Sequence, residues 1–143
     1  MTLAQAKVIK LCHNMLPNAK IGPTPNVYYA YAATCNPEDK IAELNANALR
    51  NWLYLDLAVK GEYNRIVWRY FKENNYTPKI SKSDMKIIKS GKPDFIAFNY
   101  YSSLTVKKSS YTKEDNINKK TDHHIYNDCY GMYDVQKKWL FNY

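Results

Sequence analysis

Only two short segments of this 143-residue sequence predict buried strands, and a long helical interval separates them. The first segment is Ala19 to Gly22. The second contains the unbroken apolar run Phe95 to Phe98, which follows the turn-like residues 91–93. A short apolar run bounded by turn residues is typical of a strand buried on both faces of a parallel sheet. A long helical crossover between two strands also predicts that they pair in parallel.

The remaining periodic segments predict helices. Asn36-Pro37 is a favourable helix start, because Asn caps a helix and Pro suits its first position. We expect this helix to run to about Ala58, with Gly61 closing it. Its apolar residues form a stripe at helical spacing: Ile41, Leu44, Ala48, Trp52 and Leu55. Three further helices are predicted over residues 3–16, 64–73 and 81–89.

Two parallel strands do not make a stable sheet alone, because both faces need helices and both edges need neighbours. The sequence therefore predicts an α/β chain that forms part of a larger structure. A complete (β/α)₈ barrel needs about 250 residues. Residues 107–143 are rich in polar and turn-forming residues and predict a long loop or tail.

Polar residues follow the second predicted strand, and they are the first candidate site. Asn99, Tyr100 and Tyr101 come directly after Phe98. In parallel α/β folds, ligands bind at the carboxyl ends of the strands. The sequence therefore places a binding site at this end of the strand.

The charge balance and the cysteines limit the classes of function. Lys and Arg number 21 against 13 Asp and Glu, which gives a net charge of +8. The lysines are scattered, and no nucleic-acid-binding pattern accompanies them. No apolar run approaches the roughly 20 residues of a membrane span. Cys12, Cys35 and Cys129 are odd in number and far apart, which favours free thiols in the cytoplasm. We therefore expect a cytoplasmic protein with no nucleic-acid or membrane partner.

A second cluster of candidate ligands lies in the tail: Asp122, His123, His124, Asp128 and Cys129. Such side chains can hold a metal, but their spacing matches no standard zinc pattern. A polar loop explains them, and we predict neither a metal nor a cofactor.

Several motifs resemble glycoside hydrolase family 1, most closely its bacterial 6-phospho-β-glucosidases. Residues 93–102, Pro-Asp-Phe-Ile-Ala-Phe-Asn-Tyr-Tyr-Ser, resemble the family's sixth barrel strand. Residues 20–26 resemble its fifth strand, residues 45–56 the helix between the two, and Gly61-Glu62-Tyr63 its Gly-x-Tyr turn. The resemblance covers roughly residues 3–106.

This resemblance implies a partial (β/α)₈ TIM barrel that covers strands five and six with their helices. Residues 1–143 would form a single incomplete barrel segment. It also implies a phosphorylated β-glycoside as substrate and the missing barrel segments as partners. Asn99 and Tyr101 match the family's Asn-x-Tyr, so Asn99 would line the sugar site and Tyr101 would hydrogen-bond the nucleophile. Asn26 is a weaker substrate-binding candidate, for which a turn role is as well supported.

A retaining glycosidase needs two carboxylates about 5–5.5 Å apart. In the family these belong to Asn-Glu-Pro and Glu-Asn-Gly motifs, and neither motif occurs here. The nearest match, Glu73-Asn74-Asn75, is explained as a helix end. We therefore expect the isolated chain to be inactive. The alternative is a vestigial or binding protein without catalysis, whose basic surface meets an anionic partner.

Overall fold

A computed structural model describes residues 1–108 of the chain. The described residues group into two compact units. The first unit contains Met1–Val27 and Arg50–Tyr100. The second contains Tyr28–Leu49 and the described residues from Tyr101 onward. No helix within residues 1–108 is long and apolar enough to cross a membrane.

Helices make up most of the first unit. Their bounds are α1 (Thr2–Met15), α3 (Leu53–Val59), α4 (Arg65–Glu73) and α5 (Lys82–Ser90). The short strands β1 (Asn26–Val27) and β3 (Asn99–Tyr100) complete the unit. Helices α1, α3 and α5 contact one another in pairs and enclose a small core. The core side chains include Ala6, Ile9, Leu57, Ala58 and Ile88.

The second unit contains one helix and a two-stranded sheet: β2 (Ala30–Ala32), α2 (Pro37–Asn47) and β4 (Leu104–Val106). Strands β2 and β4 pair in parallel, with Ala30 opposite Leu104 and Ala32 opposite Val106. Helix α2 packs on both strands. The core between them consists of Ala30, Ala42, Ala46 and Val106, with Leu104 beside it. A π-helical segment (Ala48–Trp52) follows α2 along the chain.

Most of the predicted helix boundaries are confirmed. Asn36 caps α2, accepting a hydrogen bond from the Glu38 amide, and Pro37 is the first helical residue. Ser81 and Asp84 form a reciprocal capping box at the start of α5. Gly61 follows α3 with φ of +70°, in the region that favours glycine. These caps explain why the helices begin and end where the sequence indicated.

The predicted strands are only partly correct. Parallel pairing is confirmed, since β1 runs parallel to β3. However, the predicted strand over Ala19–Gly22 is wrong, because the paired strand residues are Asn26 and Val27. The run Phe95–Phe98 is not buried on both faces, since Phe95 is 48% and Phe98 62% exposed. The predicted strand over this run is also wrong, because regular strand structure begins only at Asn99.

Helix α2 buries a face made of alanine and polar residues, not the apolar stripe predicted for it. Ile41 and Leu44 are exposed, as is Trp52 in the π-helical segment, whereas Asp39 and Asn47 are buried. Asn47 Oδ1 accepts a 2.9 Å hydrogen bond from the Ala30 amide, and its Nδ2 donates to the Ala30 carbonyl. A side chain of helix α2 therefore pairs both backbone groups of Ala30 at the edge of β2.

Two more carboxylates continue this series along α2. Glu43 accepts a 2.9 Å hydrogen bond from the Ala32 amide. Asp39 accepts hydrogen bonds from the Thr34 hydroxyl (2.7 Å) and from the Lys108 amide (2.9 Å). The three acceptors are spaced four residues apart on α2, and together they reach Ala30 and Ala32 of β2 and Thr34 just beyond it. We call this set the α2 ladder.

We expect Asn47→Ala to destabilise the second unit by about 2 kcal/mol, because it leaves a buried backbone N–H and C=O of Ala30 unpaired. Amide hydrogen exchange measured by NMR should show faster exchange at Ala30. Asn14→Ala, an Asn-to-Ala change on an exposed position of α1, is the matched control and should leave exchange at Ala30 unaltered. Unchanged protection of Ala30 in the Asn47→Ala variant would contradict this account of the edge.

The hydrogen bond from Thr34, followed by that from Lys108, lowers the pKa of Asp39 from its ordinary value of 3.8. Because the folded-state pKa is the lower one, the stabilisation is present above pH 3.8 and is lost as the pH falls through the folded value. We expect the NMR shift of the Lys108 amide to titrate with a midpoint below 3.8. The titration should vanish in Asp39→Asn, and a midpoint at or above the ordinary value would refute the assignment.

Candidate functional site

The candidate site lies where two parallel chain segments of the first unit bring Asn26 and Asn99 opposite each other. The backbone amides of Asp94, Ala97 and Asn99 donate hydrogen bonds of 2.9–3.1 Å to the carbonyls of residues 21, 23 and 25. Residues 23 and 25 are both proline, so neither can donate a hydrogen bond in return. This one-sided pairing explains why regular strand structure begins only at Asn26.

Gly22 allows the two segments to approach closely. A Cβ added at this position would overlap the carbonyl oxygen of Phe95 and lie 2.8 Å from its Cδ2. Close packing against Phe95 therefore explains why glycine stands at this position of the family-like segment 20–26. Any larger residue must push Phe95 and the segment that leads to Asn99 away.

Asn26 and Asn99 are directly opposite each other in the pairing of β1 with β3. Asn99 Nδ2 donates a 3.1 Å hydrogen bond to Asn26 Oδ1. This contact leaves Asn99 Oδ1 and Asn26 Nδ2 as further acceptor and donor groups. Both residues are exposed, and each is the first residue of its strand. The structure thus brings together two of the three predicted substrate-binding residues.

The third predicted residue, Tyr101, belongs to the second unit, and its side chain is 72% exposed. The preceding Tyr100 is the last residue of β3 and is also exposed. In the described structure, Tyr101 therefore presents its side chain to solvent.

A cleft of about 340 Å³ adjoins Asn26. Its lining residues come from β1, the residues before it, and the region where the π-helical segment leads into α3: Met1, Thr24, Pro25, Asn26, Val27, Arg50, Asn51, Tyr54 and Leu55. Amide, guanidinium and phenol groups at such a site can hydrogen-bond the hydroxyls of a small polar ligand. No lining residue is Asp or Glu, so the cleft is equipped for binding rather than for acid–base chemistry.

Arg50 and Asn51 are cleft residues that the sequence did not single out. Both belong to the π-helical segment, and π-bulges are frequent at functional sites because they redirect side chains locally. Asn51 is buried. Tyr54, one turn further on, donates a 2.5 Å hydrogen bond to Gln5 Oε1, and burial raises the pKa of its phenol. No residue pattern in this region predicts the π-helical segment.

Asp94 fixes the start of the second strand segment. Its Oδ2 accepts hydrogen bonds of 2.8 Å from His13 Nε2 and from the Ile21 amide. These bonds lower the pKa of Asp94, with the His13 contact as the larger cause. Asp94 therefore ties the end of α1 and the first strand segment together, at the opposite end of the segment from Asn99.

The metal-ligand candidates of the tail, from Asp122 to Cys129, lie outside the described residues, as does the predicted loop beyond residue 108. Within residues 1–108, no group of three His, Cys, Asp or Glu side chains is arranged to hold a metal ion.

A family profile described as "Glycosyl hydrolase family 1" matches residues 1–141. The chain belongs to this family. Among the curated family relatives, Aryl-phospho-beta-D-glucosidase BglC of Bacillus subtilis is 36% identical over 107 residues, which cover 75% of this chain and 22% of that protein. The 6-phospho-beta-glucosidase of Dickeya chrysanthemi is 38% identical over 100 residues, covering 69% of this chain and 21% of that protein. The chain thus spans about a fifth of these relatives.

Solved structures of the family agree with the α/β fold. A beta-glucosidase from Exiguobacterium marinum superposes with a TM-score of 0.68 at 30% identity, covering 76% of this chain and 25% of that structure. A beta-glucosidase from Thermotoga maritima gives 0.66 at 31% identity, covering 74% and 24%. The described strands of this family 1 chain form two two-stranded sheets rather than a closed barrel.

We expect Gly22→Ala to separate the two strand segments and to break the Asn26–Asn99 hydrogen bond. Overpacking against backbone costs about 1–3 kcal/mol or more. The side-chain amide NMR signals of Asn99 should shift, and unfolding should occur at lower urea. Thr24→Ala, an exposed neighbour in the same segment, serves as control. Unaltered Asn99 signals in Gly22→Ala would show that the close approach does not position the asparagines.

Proposed function

We propose that this chain is a segment of a cytoplasmic, retaining β-glycosidase that hydrolyses 6-phospho-β-glucosides. The family membership supports the reaction class, and the names of the relatives support the phosphorylated substrate. The observation that carries the proposal is the Asn26–Asn99 pair, which lies near the carboxyl ends of the two parallel hydrogen-bonded segments over residues 21–27 and 94–100. Barrel enzymes bind their substrates at the carboxyl ends of their strands.

In this proposal the asparagines bind the sugar, and Tyr101 acts on a carboxylate from elsewhere. The hydrogen bond from Asn99 to Asn26 orients the two side-chain amides, so that Asn99 Oδ1 and Asn26 Nδ2 are available for sugar hydroxyls. The Tyr101 hydroxyl donates to the nucleophilic carboxylate. A donated hydrogen bond favours the ionised form, which is the nucleophilic one.

The missing barrel segments are the proposed partners, and exposed apolar side chains support this. Val8, Leu11 and Met15 of α1 are 55–69% exposed, and Ile41 and Leu44 of α2 are 56% and 58% exposed. Contiguous exposed apolar surface marks a site of association. Further barrel segments would cover these helices and supply both catalytic carboxylates.

The cytoplasmic location is supported by the cysteines in the described part of the chain. Cys12 and Cys35 are free thiols, as expected where thiols are kept reduced.

A second candidate function is binding without catalysis. Between Arg65 and Lys92 the sequence has eight cationic residues and only two acidic ones. This stretch therefore carries most of the net charge and favours an anionic partner.

The isolated chain should not hydrolyse a chromogenic aryl 6-phospho-β-glucoside, since it lacks both Glu motifs. Co-expression with family 1 segments that carry Asn-Glu-Pro and Glu-Asn-Gly should restore turnover. Turnover by the pure chain would disprove the predicted inactivity. Soluble co-purification of all segments without any turnover would favour the binding function instead.

In the reconstituted enzyme, Tyr101→Phe should lower kcat/KM by about 10- to 100-fold, because a hydrogen bond to a charged group is lost. The acidic limb of the pH–rate profile should move to higher pH, since the nucleophile loses its donor. Tyr100→Phe removes the neighbouring hydroxyl and should change little. Equal effects of the two substitutions would argue against the role of Tyr101.

A further inference from the structure

An open groove of about 720 Å³ lies in the first unit, on residues that the strand-end cleft does not use. Its walls come from residues 61–63, from α4, and from α5 with the two residues before it, and they include Glu62, Tyr63, Trp68, Lys82, Met85 and Lys86. Its volume is in the range of about 300–1,000 Å³ that small-molecule sites occupy.

The floor of the groove is aromatic. The rings of Tyr63 and Trp68 have centroids 5.0 Å apart and planes tilted by 42°. Phe71 supports Tyr63 from 6.3 Å in an edge-on arrangement. Both groove rings are half-buried, so each is held in place while part of its surface faces the groove. A ring inserted between Trp68 and Met85 would find aromatic and thioether partners.

The rim of the groove is basic. Lys82 and Lys86 are four residues apart and therefore lie on the same side of α5. Lys89 is paired with Glu62 at 3.0 Å. Among the described ion pairs none includes Lys82 or Lys86. Two ammonium groups thus flank an apolar floor, and Glu62, their acidic neighbour in the groove, already has its own partner.

We propose that this groove binds a small aryl anion, which is an aromatic ring that carries a phosphate, sulfonate or carboxylate. The ring packs on Tyr63 and Trp68, and the anionic group lies between Lys82 and Lys86. Neither the aromatic floor nor the lysine pair is expected to bind the ligand tightly alone. The floor carries no charge, and a single exposed lysine makes only a weak contact with an anion. The proposal does not depend on the glycosidase proposal, and the two are tested separately.

Phenyl phosphate tests this directly, with phenol and inorganic phosphate as its two halves. NMR titration of the full chain should show saturable shifts of the Trp68 indole and of the Lys86 amide. Phenyl phosphate should bind at least about tenfold tighter than either half, because both sets of contacts form together. Affinity should fall between about 0.05 M and about 0.5 M salt. Equal binding of phenyl phosphate and phosphate, or no shift at Trp68, would overturn the proposal.

Two variants separate the groove from general positive charge. Lys82→Gln with Lys86→Gln should weaken phenyl phosphate binding about tenfold, since each exposed charge contact contributes a few-fold. Lys10→Gln with Lys20→Gln removes the same charge outside the groove lining and should have no effect. Trp68→Leu should also weaken binding, and Trp68→Phe should retain part of it.

Equal weakening in both lysine pairs would mean unspecific electrostatics and would refute the site. A short single-stranded oligonucleotide provides the last competitor, because aromatic floors with basic rims also bind nucleic acid. If the oligonucleotide displaces phenyl phosphate at lower concentration through the same lysines, a nucleic-acid surface replaces the aryl-anion site.

Discussion

The α2 ladder is the interaction on which the second unit depends. Four residues of helix advance by about 6 Å, and two residues of strand by about 6.6 Å. Asn47, Glu43 and Asp39 therefore meet Ala30, Ala32 and Thr34 in turn, as the helix descends against the strand direction. Because β4 pairs along the other edge of β2, the ladder supplies acceptors for the outer amides of Ala30 and Ala32, where residues 1–108 provide no third strand.

Small side chains make the ladder possible. Ala42 and Ala46 face the strands, so the helix backbone comes close enough for short carboxylate and amide groups to reach the strand amides. The first unit meets the same requirement differently. There Gly22 permits close approach, Asp94 caps the first strand segment, and the prolines restrict the hydrogen bonds to one direction. Both units thus stabilise a short parallel strand pair with hydrogen bonds from nearby side chains and backbone groups.

Local signals in the sequence were sufficient for the helices. Asn36, Ser81 and Gly61 act through neighbours within a few residues, and the structure confirms each. The positions of the strands depend on the neighbouring strands and helices, so the apolar runs alone predicted them at the wrong residues. Pro23 and Pro25 disfavour regular strand pairing before Asn26, so they would have justified predicting the first strand at Asn26. The alternation Tyr29-Ala30-Tyr31-Ala32 is a further strand signal in the sequence, and it coincides with β2. Asn26 and Asn99 followed from the strand-end rule and the family resemblance, whereas Arg50 and Asn51 depend on a π-helical segment without a sequence signature.

The reversed polarity of α2 changes which substitutions this helix can accept. On most surface helices, polar residues tolerate replacement and apolar residues do not. Here the outward Ile41 and Leu44 contribute little to the unit itself, so charged replacements there would raise solubility without loosening the packing. An apolar replacement of Asn47 would instead leave the Ala30 amide without its acceptor, and one at Asp39 would do the same to the Thr34 hydroxyl and the Lys108 amide. A redesign of this helix that kept its apolar residues and replaced its polar ones would therefore remove the hydrogen bonds that attach α2 to the sheet.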